Sequence, residues 1–373
     1  MPFIHLHVNE NDQIKLCCYS QPIKQMPADF DFNSDIDLDN IRRQMLEGNR
    51  ISHCNTCYQV EDNNGESFRH RDTKEWLTKL KIDSIDQVTT ELMYYDIRND
   101  NTCNLSCRMC YPGASSQLEK EYAAIGWQVL SNTRANTLTN LINFSTIQRL
   151  YVAGGEPTLM PEFKKFLRRA IELDRTDIEL RIITNATNIN KEIAELLSKF
   201  PNKEFTVSID GFDKINRYIR WPSDWDSIVA NIERLYEITP NVSFNVSVSM
   251  WNICNLSQLV NFLETRFPTP YTILLNEAVA IDQANPSPFN FPNKELAIAD
   301  LLRLRQAKSY KTETFFKNKV EYFIDRMKNS TVDSSVLEQF FKYNDRLDLS
   351  RNVKLIDYIP ELEQCRSYLT KQT

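Results

Sequence analysis

From about residue 92 onward, short apolar runs rich in Val, Ile, Leu and aromatic residues recur along the chain. Each is followed by a stretch whose apolar positions fall at helical spacing. The runs are LMYYDIRND (92–100), IQRLYVAGG (147–155), IELRIITNA (178–186), EFTVSIDG (204–211), VSFNVSVSM (242–250) and PYTILLNEA (270–278). The helical stretches lie near 115–132, 161–174, 190–200, 223–237 and 256–266. Six such alternations predict a parallel sheet wound by helices. No Gly-rich dinucleotide fingerprint accompanies them, so the expected fold class is α/β, a partial (β/α)6 TIM-like barrel over 89–280.

The flanks have a different texture. Residues 1–20 hold two apolar runs, FIHLHV and IKLCC, around the turn-rich NENDQ, which predicts a hairpin. A helical period starts near Asp37, with Asp39 or Asn40 as its cap, Ile41, Met45 and Leu46 on one face and Gly48 as its stop. HCNTC then sets Cys54 and Cys57 in a tight turn, and ESFRHR reads as a charged loop. Residues 1–88 are thus expected to form a small cysteine-rich hairpin and helix domain. After Pro286, Pro288 and Pro292 the pattern is helical, predicting a helical C-terminal region over 281–373.

Composition narrows the chemistry. The first residues lack the basic, apolar and small-residue zones of a signal peptide, and no apolar run approaches a membrane span, so the expected location is the cytoplasm. A formal charge of −6 gives no whole-chain basic footprint and argues against a nucleic-acid partner. Lys164, Lys165, Arg168 and Arg169, or Lys308 and Lys311, read as solvated helix faces. Structural disulfides are disfavoured in a reducing cytoplasm, so nine cysteines, seven of them clustered, point to metal or redox chemistry.

Cys103, Cys107 and Cys110, spaced C-x3-C-x2-C, follow the first apolar run in a stretch whose Asn, Asp, Pro and Gly favour irregular backbone. Only a loop lets three thiolates so close in sequence converge on one centre, and a loop after a parallel strand is where barrel chemistry sits. Three protein ligands leave a fourth position of a cubane cluster open. Zinc is the alternative for any cysteine triplet. The second run ends in Gly154, Gly155, Glu156 and Pro157, where glycines allow backbone carbonyls to approach a cationic amine.

This combination resembles the radical S-adenosylmethionine (SAM) enzymes. The resemblance implies a 4Fe-4S cluster on Cys103, Cys107 and Cys110 that chelates SAM. An external electron donor such as flavodoxin or ferredoxin then drives its cleavage to a 5′-deoxyadenosyl radical. It places Met109 near the adenine, where the family more often has an aromatic residue, and Gly154, Gly155 and Glu156 at the methionine amino group. It implies that Thr184 and Asn185 face the cofactor, that Ser208 pairs with Arg220 around the ribose and carboxylate, and that Asn252 contacts adenine or ribose. Polar residues at strand ends also commonly just cap helices.

Cys17, Cys18, Cys54 and Cys57 form a second set, able to hold zinc or an auxiliary iron–sulfur cluster. Adjacent strand residues point to opposite faces, so one of Cys17 and Cys18 is the expected ligand, with Cys18 favoured. The segment 12–72 resembles the twitch and SPASM auxiliary-cluster modules, here placed before the barrel. Its fourth ligand is open between Cys17, His53, Cys365 and substrate. Cys254 and Cys365 read as buried thiols or, by analogy with peptide epimerases of the superfamily, as hydrogen-atom donors. Modification of a ribosomally made peptide, by epimerisation or crosslinking, is the leading expectation. A radical oxidation or rearrangement of a small molecule or nucleotide is the second, and a zinc-stapled, non-catalytic interaction protein the third.

Overall fold

A computed structural model of the chain describes residues 2–9, 11–63, 65–98, 100–129, 141–268, 272–280 and 285–370. The parts of the sequence-predicted helix near 115–132 and strand at 270–278 beyond these limits lie outside the described residues. The chain divides into two compact units: Met1–Asp100, Asn132–Ile182 and Glu195–Lys203 in the first, Asn101–Ser131, Ile183–Ala194 and Glu204–Thr373 in the second.

In the first unit the expected hairpin is present as β1 (His5–Val8) and β2 (Gln13–Lys15), paired antiparallel, with a further strand β3 (Pro22–Gln25) beside β2. β1 also pairs in parallel with β4 (Tyr94–Ile97), in the register His5 to Tyr94 and His7 to Asp96. The amino-terminal hairpin thereby continues the sheet of β4, β6 (Arg149–Val152) and β7 (Glu179–Thr184), all parallel. The helix Pro161–Glu172 starts on a proline, which needs no intrahelical N–H partner there, and buries Phe163, Phe166, Leu167 and Ala170 at helical spacing. Each phenylalanine so buried contributes about 2–3 kcal/mol.

Three local expectations are corrected in this unit. The first helix runs Ile36–Leu46 and is capped by Asp35, whose carboxylate accepts from Leu38 N–H, rather than by Asp39 or Asn40. Cys54 closes a 3-10 turn, Ser52–Cys54, and Cys57 lies on the helix Asn55–Asp62 that follows, so the pair is helical rather than held in a free turn. ESFRHR is not a loop: Ser67 caps the helix Phe68–Leu80, whose Trp76 packs against Tyr94.

In the second unit, β8 (Lys203–Ser208), β10 (Val242–Val248) and β11 (Ile273–Glu277) run parallel. Phe205, Val207, Phe244, Val246, Ile273 and Leu275 are buried on one face, while Thr206, Ser208, Ser243, Asn245 and Ser247 leave the other polar and half-buried. The helices Trp225–Ile238 and Leu256–Arg266 follow β8 and β10 as the alternation predicts. The helical C-terminal region is present and includes the long helix Ser334–Arg351. Among the described residues no helix is long and apolar enough to cross a membrane. The α/β class, three parallel strands in each unit and the helical tail are as the hydrophobic pattern predicts, but the helix expected near 115–132 is shorter, Ser116–Ala124, with the chain turning at Ile125 and Gly126.

Candidate active site

The cysteine loop opens the second unit. Cys103 is anchored at the start of the helix Ser116–Ala124: its N–H donates to Ser116 Oγ, which donates back to its carbonyl, both at 3.2 Å. Cys107 is fixed differently, in a two-residue strand β5 (Ser106–Cys107) paired antiparallel with β9 (Arg220–Trp221), so that Cys107 faces Arg220. Cys110 follows in a tight turn, its N–H donating to the Cys107 carbonyl. Burial first, then the Cys107 and Cys103 thiols, push the Cys110 thiol well above its ordinary range. A buried thiol whose ionisation is so penalised, with two further thiols in the same loop, is a donor set suited to a cationic iron centre. Met109 lies half-buried between them in sequence.

Strand ends supply the surroundings. At the end of β7, Asn185 Nδ2 donates to Cys103 Sγ at 3.9 Å and to Asn104 Oδ1, while its Oδ1 accepts from Thr187. Thr184 Oγ1 accepts from Ala186 N–H, a turn-forming bond. At the end of β8 the buried Asp210 pairs with Arg220 Nε at 2.5 Å and accepts from Ser247 N–H. Arg220 thus stands beside Cys107 with its guanidinium held by Asp210. Ser208 sits opposite Asn245 on the polar strand face. Asn252 is committed to the fold: Nδ2 donates to the Asp210 and Ser247 carbonyls, and Oδ1 accepts from Ser249 N–H. Cys254 is buried, its thiol pushed up by burial and by the fields of Asp300, Glu361 and Cys365. Cys365, on the helix Pro360–Thr370, is likewise buried and pushed up to about 11 by burial.

The second unit also holds a feature with no sequence signal. Arg108, between two cysteines of the loop, is 0% exposed. Its guanidinium donates to the Tyr218 carbonyl, Asn344 Oδ1 and Asp348 Oδ1 at 2.9, 3.0 and 2.5 Å, and lies over the Tyr218 ring. Tyr343 donates to the Arg108 carbonyl, and Arg351 donates to the Ser106 carbonyl while pairing with Glu121. Four residues of the helix Ser334–Arg351 therefore clasp the loop.

In the first unit, Gly154 has φ +118, a conformation suited only to glycine, and a Cβ there would lie 3.2 Å from the Asp100 carbonyl oxygen. Gly155 N–H donates to that same oxygen. Glu156 is fully buried and its Oε1 accepts from Thr158 N–H and Oγ1, capping the turn Pro157–Leu159.

The other cysteine set meets at a cavity of about 550 Å³ in the first unit, lined among others by Cys17, Cys54, Cys57 and His53. Cys17 rather than Cys18 lines it. β2 ends at Lys15, and Ser20 Oγ accepts from Leu16 and Cys17 N–H, so the chain turns there and strand alternation does not apply. Cys54 is pushed up to about 11 by burial, then by Cys17 and Cys57. Cys18 is pushed up to about 12 by burial, then by Asp96 and Cys17.

Residues 101–263 match the radical SAM superfamily. The sporulation killing factor maturation protein SkfB of Bacillus subtilis is 25% identical over 162 residues, 43% of this chain and 37% of that protein. The Fe-coproporphyrin III synthase of Methanosarcina barkeri is 25% identical over 164 residues, 43% of this chain and 38% of that protein. The chain therefore spans well under half the length of these curated relatives. Streptococcus suis SuiB bound to S-adenosylmethionine superposes with a TM-score of 0.42 at 15% identity, covering 80% of this chain and 61% of that one. The stretch that matches the radical SAM superfamily, 101–263, takes in the cysteine loop, Arg220 and Asn252.

Proposed function

We propose that the chain is a radical SAM enzyme whose reaction is initiated at Cys103, Cys107 and Cys110. The observation that carries this reading is the three-cysteine loop inside the family match, fixed at Cys103 by Ser116, at Cys107 by the β5–β9 pair and at Cys110 by the Cys107 carbonyl. These cysteines would hold a 4Fe-4S cluster which, with SAM bound and one electron from an external donor, would supply radical chemistry able to abstract hydrogen from a substrate. The chain's own residues hold and tune that centre: Asn185 donates toward the Cys103 sulfur, Arg220 stands beside Cys107 with Asp210 fixing its fork, and Arg108 anchors the loop. By their motif, Gly154, Gly155 and Glu156 serve the methionine end of SAM. Cys17, Cys54 and Cys57 hold an auxiliary iron–sulfur cluster in the first unit's cavity.

A ribosomally made peptide is the substrate class this reading favours. One relative is named as a maturation protein for a killing factor, the other as a synthase for an iron porphyrin. The polar strand face, with Thr206, Ser208, Ser243, Asn245 and Ser247, offers uncharged hydrogen-bonding groups. These match amides better than the carboxylates of a porphyrin, which call for Arg or Lys.

Iron and sulfide content after anaerobic reconstitution, followed by 5′-deoxyadenosine release on reduction with SAM, tests the enzyme reading. Replacing Cys103, Cys107 and Cys110 by Ala is expected to abolish release; release that persists, or a colourless zinc-loaded protein with none, overturns it. Deuterium passing from a labelled precursor peptide into 5′-deoxyadenosine is the expected mark of a peptide substrate, and its transfer only from a small molecule refutes that class.

A further inference from the structure

We propose that His53 is the fourth protein ligand of the auxiliary cluster, through Nε2, so that this centre is held by three thiolates and one imidazole. The proposal rests on the reading of the first unit's cavity as a cluster site.

Local geometry comes first. His53, Cys54 and Cys57 occupy the turn Ser52–Cys54 and the helix Asn55–Asp62 that continues it. Cys57 lies in the first turn of that helix, and Cys54, at its N-cap, and His53 lie in the 3-10 turn that leads into it. All three line the same cavity, as does Cys17.

The imidazole is held at one ring nitrogen. His53 Nδ1 lies 3.3 Å from the Gln21 carbonyl oxygen. A carbonyl oxygen can only accept, so Nδ1 carries the proton and the lone pair of the neutral ring is left on Nε2. A ring N–H donated to a backbone carbonyl is the usual support of a metal-bound histidine, since it sets both tautomer and ring orientation.

Three other polar side chains at the cavity are already engaged. Ser20 Oγ is bonded to the Leu16 and Cys17 backbone, Tyr58 OH accepts from Ile51 N–H, and Glu61 is taken by Arg69 and Ser67. Among the described residues no three cysteine, histidine or carboxylate side chains are gathered tightly enough for a single ion. That holds for Cys103, Cys107 and Cys110 as well, and an iron–sulfur cluster draws its ligands from wider apart than one tetrahedral ion does. An imidazole closes the coordination shell, leaving no iron for substrate, and removes one negative charge, which raises the reduction potential relative to a fourth thiolate.

The test uses the full chain with Cys103→Ala, Cys107→Ala and Cys110→Ala, so that the cavity is the remaining cluster site. It is labelled with 15N-histidine, reconstituted with ferrous iron and sulfide, and reduced to its paramagnetic state. Pulsed EPR is expected to show one strongly coupled 15N nucleus, and His53→Ala to remove that coupling completely. His53→Cys is expected to keep the iron, lose the coupling and titrate at a lower potential. Bound iron and sulfide without nitrogen coupling, or coupling that survives His53→Ala, overturns His53 as the ligand and leaves the cavity as a cluster site. No bound iron at all overturns the cavity reading and the proposal together.

Discussion

Asp348 accepts a hydrogen bond from Arg108 at 2.5 Å across 240 residues of sequence, and this pair ties the cysteine loop to the helix Ser334–Arg351. Arg108 is fully buried, so its charge is tolerable only because Asp348, Asn344, the Tyr218 carbonyl and the Tyr218 ring all receive it.

Removing one partner of such a pair leaves the other charge stranded, at a cost of about 3–5 kcal/mol. Asp348→Ala is therefore expected to lower thermal stability strongly and to reduce the iron retained at the loop. The double change Arg108→Met with Asp348→Leu is expected to recover most of the loss, because both charges go together. Circular dichroism melts of the two variants check this, and equal melting temperatures for Asp348→Ala and the unaltered chain would contradict it.

Asn185 donates toward the Cys103 sulfur. Hydrogen bonds to cluster sulfurs favour the more negative, reduced state and raise the reduction potential. Asn185→Leu is thus expected to shift the loop cluster to a lower potential while its iron content is unchanged. An EPR-monitored redox titration reads the shift, and a potential that stays put or rises disproves the link.

His5 is buried against Tyr94, ring on ring at 4.0 Å, with neither ring nitrogen hydrogen-bonded to protein. Burial lowers its pKa from 6.5 to about 3. Below pH 6.5 the unfolded chain takes up a proton that the folded chain refuses until about pH 3, so stability falls as pH drops through this window. The slope from this one group is at most about 1.4 kcal/mol per pH unit. His5→Phe is expected to flatten the stability profile between pH 6 and 4, as followed by denaturant unfolding at each pH. An unchanged slope would show that His5 is not the group responsible.

Gly154 and Gly48 both have positive φ, +118 and +80, but a Cβ at Gly154 meets the Asp100 carbonyl oxygen at 3.2 Å whereas one at Gly48 meets nothing within 4 Å. An alanine at Gly48 carries backbone strain alone, about 1–2 kcal/mol. Gly154→Ala adds the contact and is expected to be the more damaging of the two. Thermal melts of both variants decide it, and the reverse order would rule out close packing as the reason for the glycine.

The features legible from the chain alone are those set by local chemistry. Period-2 and helical spacings expose β8, β10 and β11 and the helices that follow, because one side of each element must leave water. C-x3-C-x2-C is legible because ligands from one loop need only short-range geometry. The amino-terminal hairpin was equally local, but its parallel pairing with β4 was not, since nothing in FIHLHV says which strand lies beside it.

Spatial neighbours decided the rest. Whether Cys17 or Cys18 lines the cavity depends on a turn that Ser20 imposes after β2, which strand alternation cannot anticipate. The role of Arg108 was invisible because its partners sit in a helix whose sequence shows only an ordinary amphipathic pattern. Residue spacing dictates which atoms share a turn or a face; it says nothing of which distant side chain will offset a buried charge, because that energy exists only once both have left water.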